Sequence, residues 1–187
     1  MSDTCLTLES CLATAKALHG EICAGLTIGT RMVIAGLRAL GIEDPQGKDR
    51  KKLMVFVEID RCATDAIMAI TGCRPGKRTM KIYDHGKMAA TFLNLETGKA
   101  VRLTVKEKED GQDTTGGNPY LTLPDERLLT MEAVTVTLLP QDMPGKPIKV
   151  VKCEACGERV MDMREEVVGG RTLCRPCARG ERYYSPA

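Results

Sequence analysis

The stretch His19-Gly20-Glu21-Ile22-Cys23-Ala24-Gly25 places an imidazole, a carboxylate and a thiol within five positions, with a glycine beside the first and one at the end. Such a set can hold a soft or borderline metal ion, or activate a thiolate. A second candidate group lies at Glu58-Ile59-Asp60-Arg61-Cys62-Ala63-Thr64-Asp65. The expectation is that the two stretches meet, with His19, Cys23 and Cys62 forming a catalytic or metal-binding centre and Glu21, Asp60 and Asp65 supporting it. Cys62 falls where a helix should begin, and a thiol at a helix N-terminus has a lowered pKa, which marks it as the most reactive cysteine. Against this stands the plainer reading that Cys23 and Cys62 are buried apart and inert.

The strongest pattern is in the tail. Cys153-Glu154-Ala155-Cys156-Gly157 and Cys174-Arg175-Pro176-Cys177 are two CxxC pairs at the separation of a four-cysteine zinc site. Cys153, Cys156, Cys174 and Cys177 are the expected ligands of one Zn2+, and a closed four-thiolate site is structural rather than catalytic. The tail is too short to build its own core, so its folding is assigned to the metal.

Composition narrows the function. With 43% hydrophobic and 28% charged residues the chain has enough apolar material for a packed core. A net charge of +2 and an aromatic content of 3% argue against a dedicated nucleic-acid binder, which needs a basic face and stacking rings. No apolar run is long enough to span a membrane, and the start Met-Ser-Asp-Thr-Cys lacks a signal-peptide pattern. A cytoplasmic location is expected, in which the nine cysteines serve metal or thiol chemistry rather than disulfides.

Around these residues the spacing predicts helices over 6–18, from Gly25 or Leu26 to Leu40, and from Cys62 to Thr71, with Gly20, Gly41 and Gly72 as stops. Strands are expected at 53–59, 79–83, 88–95 and 99–107, a short helix at 124–129 and a final strand at 134–139. Cys5 and Cys11 are read as packing residues. Lys48 to Lys52 is a solvated basic run. Cys73 to Arg78 is a basic loop able to cradle an anion, or a solvated turn with Gly76 at positive φ. Residues 108–118 read as a polar surface loop. Arg31 is either solvated or reaches back to the His19–Gly25 loop. Gly29 and Gly36 imply close approach by another backbone, and with many Met and few aromatic residues they suggest a homodimer. The domain reading is a core over 1–140, a proline-marked linker over 141–150 and a zinc finger over 151–187.

Several separated motifs in order resemble the formylmethanofuran dehydrogenase E-subunit family: His19 to Gly25, Arg61-Cys62-Ala63-Thr64-Asp65-Ala66, Thr71-Gly72-Cys73 and Asp84-His85-Gly86-Lys87. The resemblance covers about residues 10 to 140. It implies an α+β fold, a mixed β-sheet flanked by helices, and a metal site built from the His/Cys loop and the later Cys. Some members add a treble-clef zinc finger, which Cys153 to Cys177 resembles. Glu21 stands where the family commonly has a second His, and Ala24 where it has Pro. These departures predict that a second metal, in the core site, is partial or absent after purification. The family's name implies association with molybdenum- or tungsten-dependent one-carbon metabolism, and partners among the subunits of a molybdenum or tungsten formylmethanofuran dehydrogenase. An accessory metal-binding subunit is preferred to an independent catalyst. The alternatives are a stand-alone thiolate or metal-dependent enzyme using Cys62 and His19, and a zinc-finger adaptor whose Arg171, Arg175, Arg179 and Arg182 meet a protein.

Overall fold

The computed structural model describes residues 6–106 and 118–185. Cys5 and the 108–117 part of the expected surface loop lie outside the described residues. The chain divides into two compact units, Met1–Thr137 and Leu138–Ala187. Among the described residues no helix is long and apolar enough to cross a membrane.

The first unit opens with α1 (Leu8–His19), capped by Thr7, whose side chain accepts the Ser10 amide, and closed by Gly20 at φ 104°. α2 (Ala24–Leu40) follows and ends on Gly41 in the left-handed region. β1 (Leu53–Val57) leads into α3 (Cys62–Thr71), which stops at Gly72, again left-handed. β2 (Met80–Ile82), β3 (Ala89–Asn94) and β4 (Ala100–Val105) come next, then the single-turn α4 (Asp125–Leu128) and β5 (Leu129–Val134). The sheet order is β2-β1-β3-β4-β5, with β1 and β2 parallel and the other pairs antiparallel. The fold is the expected mixed sheet flanked by helices.

Alternation along the strands sends Leu53, Val55 and Val57 of β1, Ala90 and Phe92 of β3 and Leu103 of β4 into one core with Leu26, Met32, Val33 and Leu37 of α2. α2 is buried along most of its length and packs on β3, β4, α1 and α3. Its glycines are what permit this. A Cβ at Gly29 would lie 2.6 Å from both Cα and O of Ala63, and a Cβ at Gly36 would lie 2.7 Å from the Phe92 ring. Gly29 therefore does meet another backbone, that of α3, whereas Gly36 meets a side chain. Both contacts are internal, so neither glycine supplies the intersubunit surface from which a homodimer was expected.

Other expectations are corrected. The last core strand is Leu129–Val134, not 134–139, because β4 offers partners only from Val105↔Leu129 to Ala100↔Val134. Among the described residues the β-branched run beyond Val134 has no strand left to pair with, and propensity without a partner does not make a strand. Arg31 is neither solvated nor turned to the His19 loop. Its guanidinium is buried, bonding Asp125 Oδ1 and donating to the carbonyls of Tyr120 and Leu123, which fastens residues 120–125 onto α2. Asn118 adds a bond from Nδ2 to Thr27 Oγ1 at 2.7 Å. In the basic loop, Pro75–Lys77 forms a 3-10 turn and Arg78, not Gly76, takes positive φ, at 61°. Within the basic run, Lys48, Arg50 and Lys51 are exposed, but Asp49 is buried and accepts the amides of Glu43 and Asp44, organising the turn.

The second unit contains two hairpins and a short helix. β6 (Val150–Lys152) pairs with β7 (Arg159–Met161), and β8 (Glu165–Val168) with β9 (Arg171–Cys174), before α5 (Arg175–Arg179). Gly169 and Gly170, both at positive φ, make the tight turn of the second hairpin. The core is small, Cys153, Val160 and Leu173 with Val151 and Ala178 against them. Residues 141–150, read as a linker, fall in this unit, where Asp142 pairs with Arg164 and Lys149 with Glu165.

Candidate metal centres

The core centre forms where two helices begin. α2 starts at Ala24, which makes Cys23 its N-cap, and Cys23 Sγ accepts the Leu26 amide hydrogen at 3.3 Å. α3 starts at Cys62 itself, with Arg61 as N-cap. The two N-termini are pressed together by the Gly29–Ala63 contact and by Gly25, whose absent Cβ would lie 3.3 Å from Cys62 Cβ. His19, the last residue of α1, completes the group: one ligand atom from each of His19, Cys23 and Cys62 lies within 4.8 Å of the others.

His19 is oriented from behind. Its Nδ1 lies 2.8 Å from Asp65 Oδ2, and its Nε2 lies 3.9 Å from Cys23 Sγ. Asp65 stands three residues after Cys62, so one face of α3 presents both the thiol and the carboxylate that holds the imidazole. A carboxylate on one ring nitrogen fixes the other as the metal-facing lone pair, the usual support for a ligating histidine. Of the expected supporting residues, Asp65 takes this part. Glu21 and Asp60 are exposed and outside the three-residue group.

The electrostatics differ from expectation at Cys62. Its pKa is raised, first by hydrogen bonding with Cys23 and then by burial, while Cys23 is lowered. Burial pushes Cys23 upward, but the Leu26 amide, with Cys62, His19 and the Gly25 amide, outweighs it. The N-cap thiol receives the Leu26 amide, whereas the backbone amide of Cys62 lowers its own thiol less than Cys23 and burial raise it. His19 is raised, chiefly by Asp65. The sequence reading missed Cys23's capping role because cysteine is not among the residues that signal an N-cap.

Three ligands with an imidazole nitrogen and two sulfurs fit a borderline divalent ion such as zinc. For tetrahedral zinc the N···S separation is about 3.6 Å, close to the His19–Cys23 distance. Among the described residues no fourth His, Cys, Asp or Glu joins this group.

The second centre is closed. One sulfur from each of Cys153, Cys156, Cys174 and Cys177 lies within 4.8 Å of the rest, and the Cys156–Cys174 separation of 3.9 Å matches the about 3.8 Å between sulfurs on tetrahedral zinc. The first pair sits on a knuckle turned by Gly157 at φ 78°, and the second on the first turn of α5. The amides of Cys156 and Cys174 bring the Cys153 thiol down to about 6. The Glu158 amide acts to lower Cys156, but desolvation and the neighbouring thiols push it up to about 12. A cation held among the four sulfurs would favour the thiolate form, which is the form that ligates. The basic residues around this centre are engaged within the unit: Arg171 donates to Glu154 O, Arg175 and Arg179 face Glu166, and Arg182 lies beside Cys177 and over the Tyr184 ring.

Similarity to known proteins extends over both centres. Residues 18–130 match the family model described as FmdE, molybdenum formylmethanofuran dehydrogenase operon, and residues 148–183 match that of the prokaryotic dksA/traR C4-type zinc finger. A probable S-adenosyl-L-methionine-binding protein of Archaeoglobus fulgidus is 33% identical over 99 residues, covering 52% of this chain. The chain spans only 27% of that relative's length. The crystal structure of a tungsten formylmethanofuran dehydrogenase FmdE-like protein from Syntrophus aciditrophicus superposes with a TM-score of 0.61 at 24% identity, covering 98% of each chain. That likeness is one of fold. The family match extends over more than half of the sequence and contains His19, Cys23, Cys62 and Asp65, so the chain belongs to the FmdE family and carries a C4-type zinc finger at its C-terminus.

Proposed function

We propose that this chain is a metal-binding accessory subunit, or a homologue of one, serving a molybdenum- or tungsten-dependent oxidoreductase of one-carbon metabolism. The observation that carries the reading is the three-ligand group of His19, Cys23 and Cys62 with Asp65 behind the imidazole. A divalent ion bound there supplies Lewis acidity and a coordination position for an exchangeable ligand. Cys23 and Cys62 contribute the sulfurs, and the Leu26 amide stabilises the charge on the first. His19 contributes Nε2, and Asp65 holds the proton on Nδ1. The four-cysteine finger is the structural zinc site of the same chain. FmdE family membership supports the link to formylmethanofuran dehydrogenase, and the partner would be the subunits of such an enzyme.

A second reading has its own observation. Cys23 is the helix-capping thiol, 3.9 Å from an imidazole nitrogen, the arrangement of a nucleophile beside a proton carrier. In that case the chain is a stand-alone enzyme and Cys23, rather than Cys62, is the nucleophile. Affinity purification from the native host separates the two. A molybdenum or tungsten enzyme retained by the wild-type chain supports the accessory reading. A chain recovered alone, which alkylation of Cys23 inactivates in a turnover assay, overturns it.

A further inference from the structure

We infer that Cys23 and Cys62 are a reversible oxidation site, closing to a disulfide under hydroperoxide and so dismantling the core metal centre. The two sulfurs lie within 4.8 Å of each other, and both side chains are half-buried rather than sealed. Cys23 is the N-cap of α2 and Cys62 the first residue of α3, and Gly25 brings the α2 backbone directly against Cys62, its absent Cβ 3.8 Å from that sulfur. A disulfide needs a sulfur–sulfur distance of about 2.05 Å, so the two sulfurs must close by about 2.8 Å at most. The other described core cysteines are placed differently. Cys11 and Cys73 are buried, and Cys73 Sγ is engaged with the Leu53 carbonyl at 3.6 Å.

The chemistry balances with one hydroperoxide. Cys23 Sγ, the acceptor of the Leu26 amide, attacks the terminal peroxide oxygen. The O–O bond breaks, Cys23 becomes a sulfenic acid, and the leaving oxygen takes up a proton as water or alcohol. Cys62 Sγ then attacks the Cys23 sulfur, the S–S bond forms, and the expelled hydroxide leaves as water with the Cys62 proton. The sulfur pair loses two electrons and the peroxide gains them. Two of three ligands are then unavailable, and His19 with Asp65 cannot retain a divalent ion alone. The loss of metal rests on the function proposed above; the disulfide itself does not.

The test uses the full chain, as purified and after removal of weakly held metal with a chelator. Hydrogen peroxide is added, free thiols are alkylated, and the unreduced protein is digested and mapped by mass spectrometry. The expected result is a cross-linked peptide pair joining Cys23 to Cys62, with fragment ions excluding Cys73, and its disappearance on reduction. In the metal-loaded chain, one core equivalent should be released into a chromogenic chelator as the cross-link forms. In Cys62→Ser the cross-link should be absent and Cys23 should advance to sulfinic acid. A wild-type chain in which Cys23 is over-oxidised with Cys62 still alkylatable, or in which Cys62 links to Cys73, overturns the inference, and neither readout depends on the variant folding. A cross-link in a chain that never binds core metal would sink the metal reading alone. Core metal without a cross-link would sink this inference alone.

Discussion

Replacing Gly29 by Ala tests how the core centre is assembled. The new Cβ would stand 2.6 Å from Ala63 Cα and O and 3.0 Å from its carbonyl carbon. These are backbone atoms and cannot rotate away. Ordinary contact begins near 3.4 Å, so α2 and α3 must separate by about 0.8 Å. Overpacking of this kind costs about 1–3 kcal/mol. Alanine in a helix returns about 1 kcal/mol relative to glycine. The rigid obstacle puts the cost at the upper end, so the net loss is about 1–2 kcal/mol, a fall of roughly 1 M in the urea midpoint. Because Ala63 adjoins Cys62, the same shift carries Cys62 away from Cys23 and His19, and core metal affinity should fall with stability. Urea unfolding followed by helical circular dichroism, together with metal titration, reads both quantities. Gly36→Ala is the control: its Cβ meets the Phe92 ring, so stability should fall while core metal affinity holds. A Gly29→Ala chain as stable as wild type, or more so, would match helix propensity alone and rule out a rigid contact between Gly29 and Ala63.

Asp65→Asn should weaken core metal binding by about 10–100-fold while leaving the finger zinc in place, as titration of the reduced chain would report. Cys174→Ser should release the finger zinc and unfold the second unit, seen as loss of one zinc equivalent and of protease resistance confined to residues beyond 137. Arg31→Met should cost about 1–3 kcal/mol by urea unfolding, since the carbonyls of Tyr120 and Leu123 and the Asp125 carboxylate lose their donor. Acid unfolding should report Glu58, which Arg102 grips through Nε and Nη2 at 2.7 and 2.8 Å and whose pKa is lowered, first by that bond. A depressed carboxyl stabilises the fold above its unfolded value of 4.5 and loses that contribution as pH falls through its lower folded value. Glu58→Gln should therefore flatten the stability profile below about pH 4.5, and an unchanged acid slope would count against the pair.

The zinc finger was legible because its ligands come in local pairs whose spacing fixes the geometry. The helix stops were legible because Gly20, Gly41 and Gly72 each meet a backbone need that only glycine meets cheaply. The convergence of His19, Cys23 and Cys62 was foreseen from residue types and placement at element ends. What remained hidden is tertiary. Which thiol is lowered depends on α2 beginning at Ala24 rather than at Gly25 or Leu26, and so on which sulfur receives the Leu26 amide. Arg31 is indistinguishable in sequence from a solvated helix arginine until residues 120–125 fold over it. Gly29 and Gly36 signalled close packing, but nothing in the sequence said whether the neighbour belonged to the same chain. The strand misplaced at 134–139 shows the same limit, since its end is set by where β4 stops.

The proposed core centre requires that His19, Cys23 and Cys62 hold a metal distinct from the finger zinc. Titrating the reduced, finger-zinc-loaded chain with Co2+ tests it directly, because thiolate ligation gives Co2+ a sulfur-to-metal charge-transfer absorption that scales with the number of sulfurs. One further equivalent with the intensity of two thiolates is expected, lost in Cys62→Ser and weakened in Asp65→Asn. No further equivalent, or one that persists unchanged in Cys62→Ser, would contradict it.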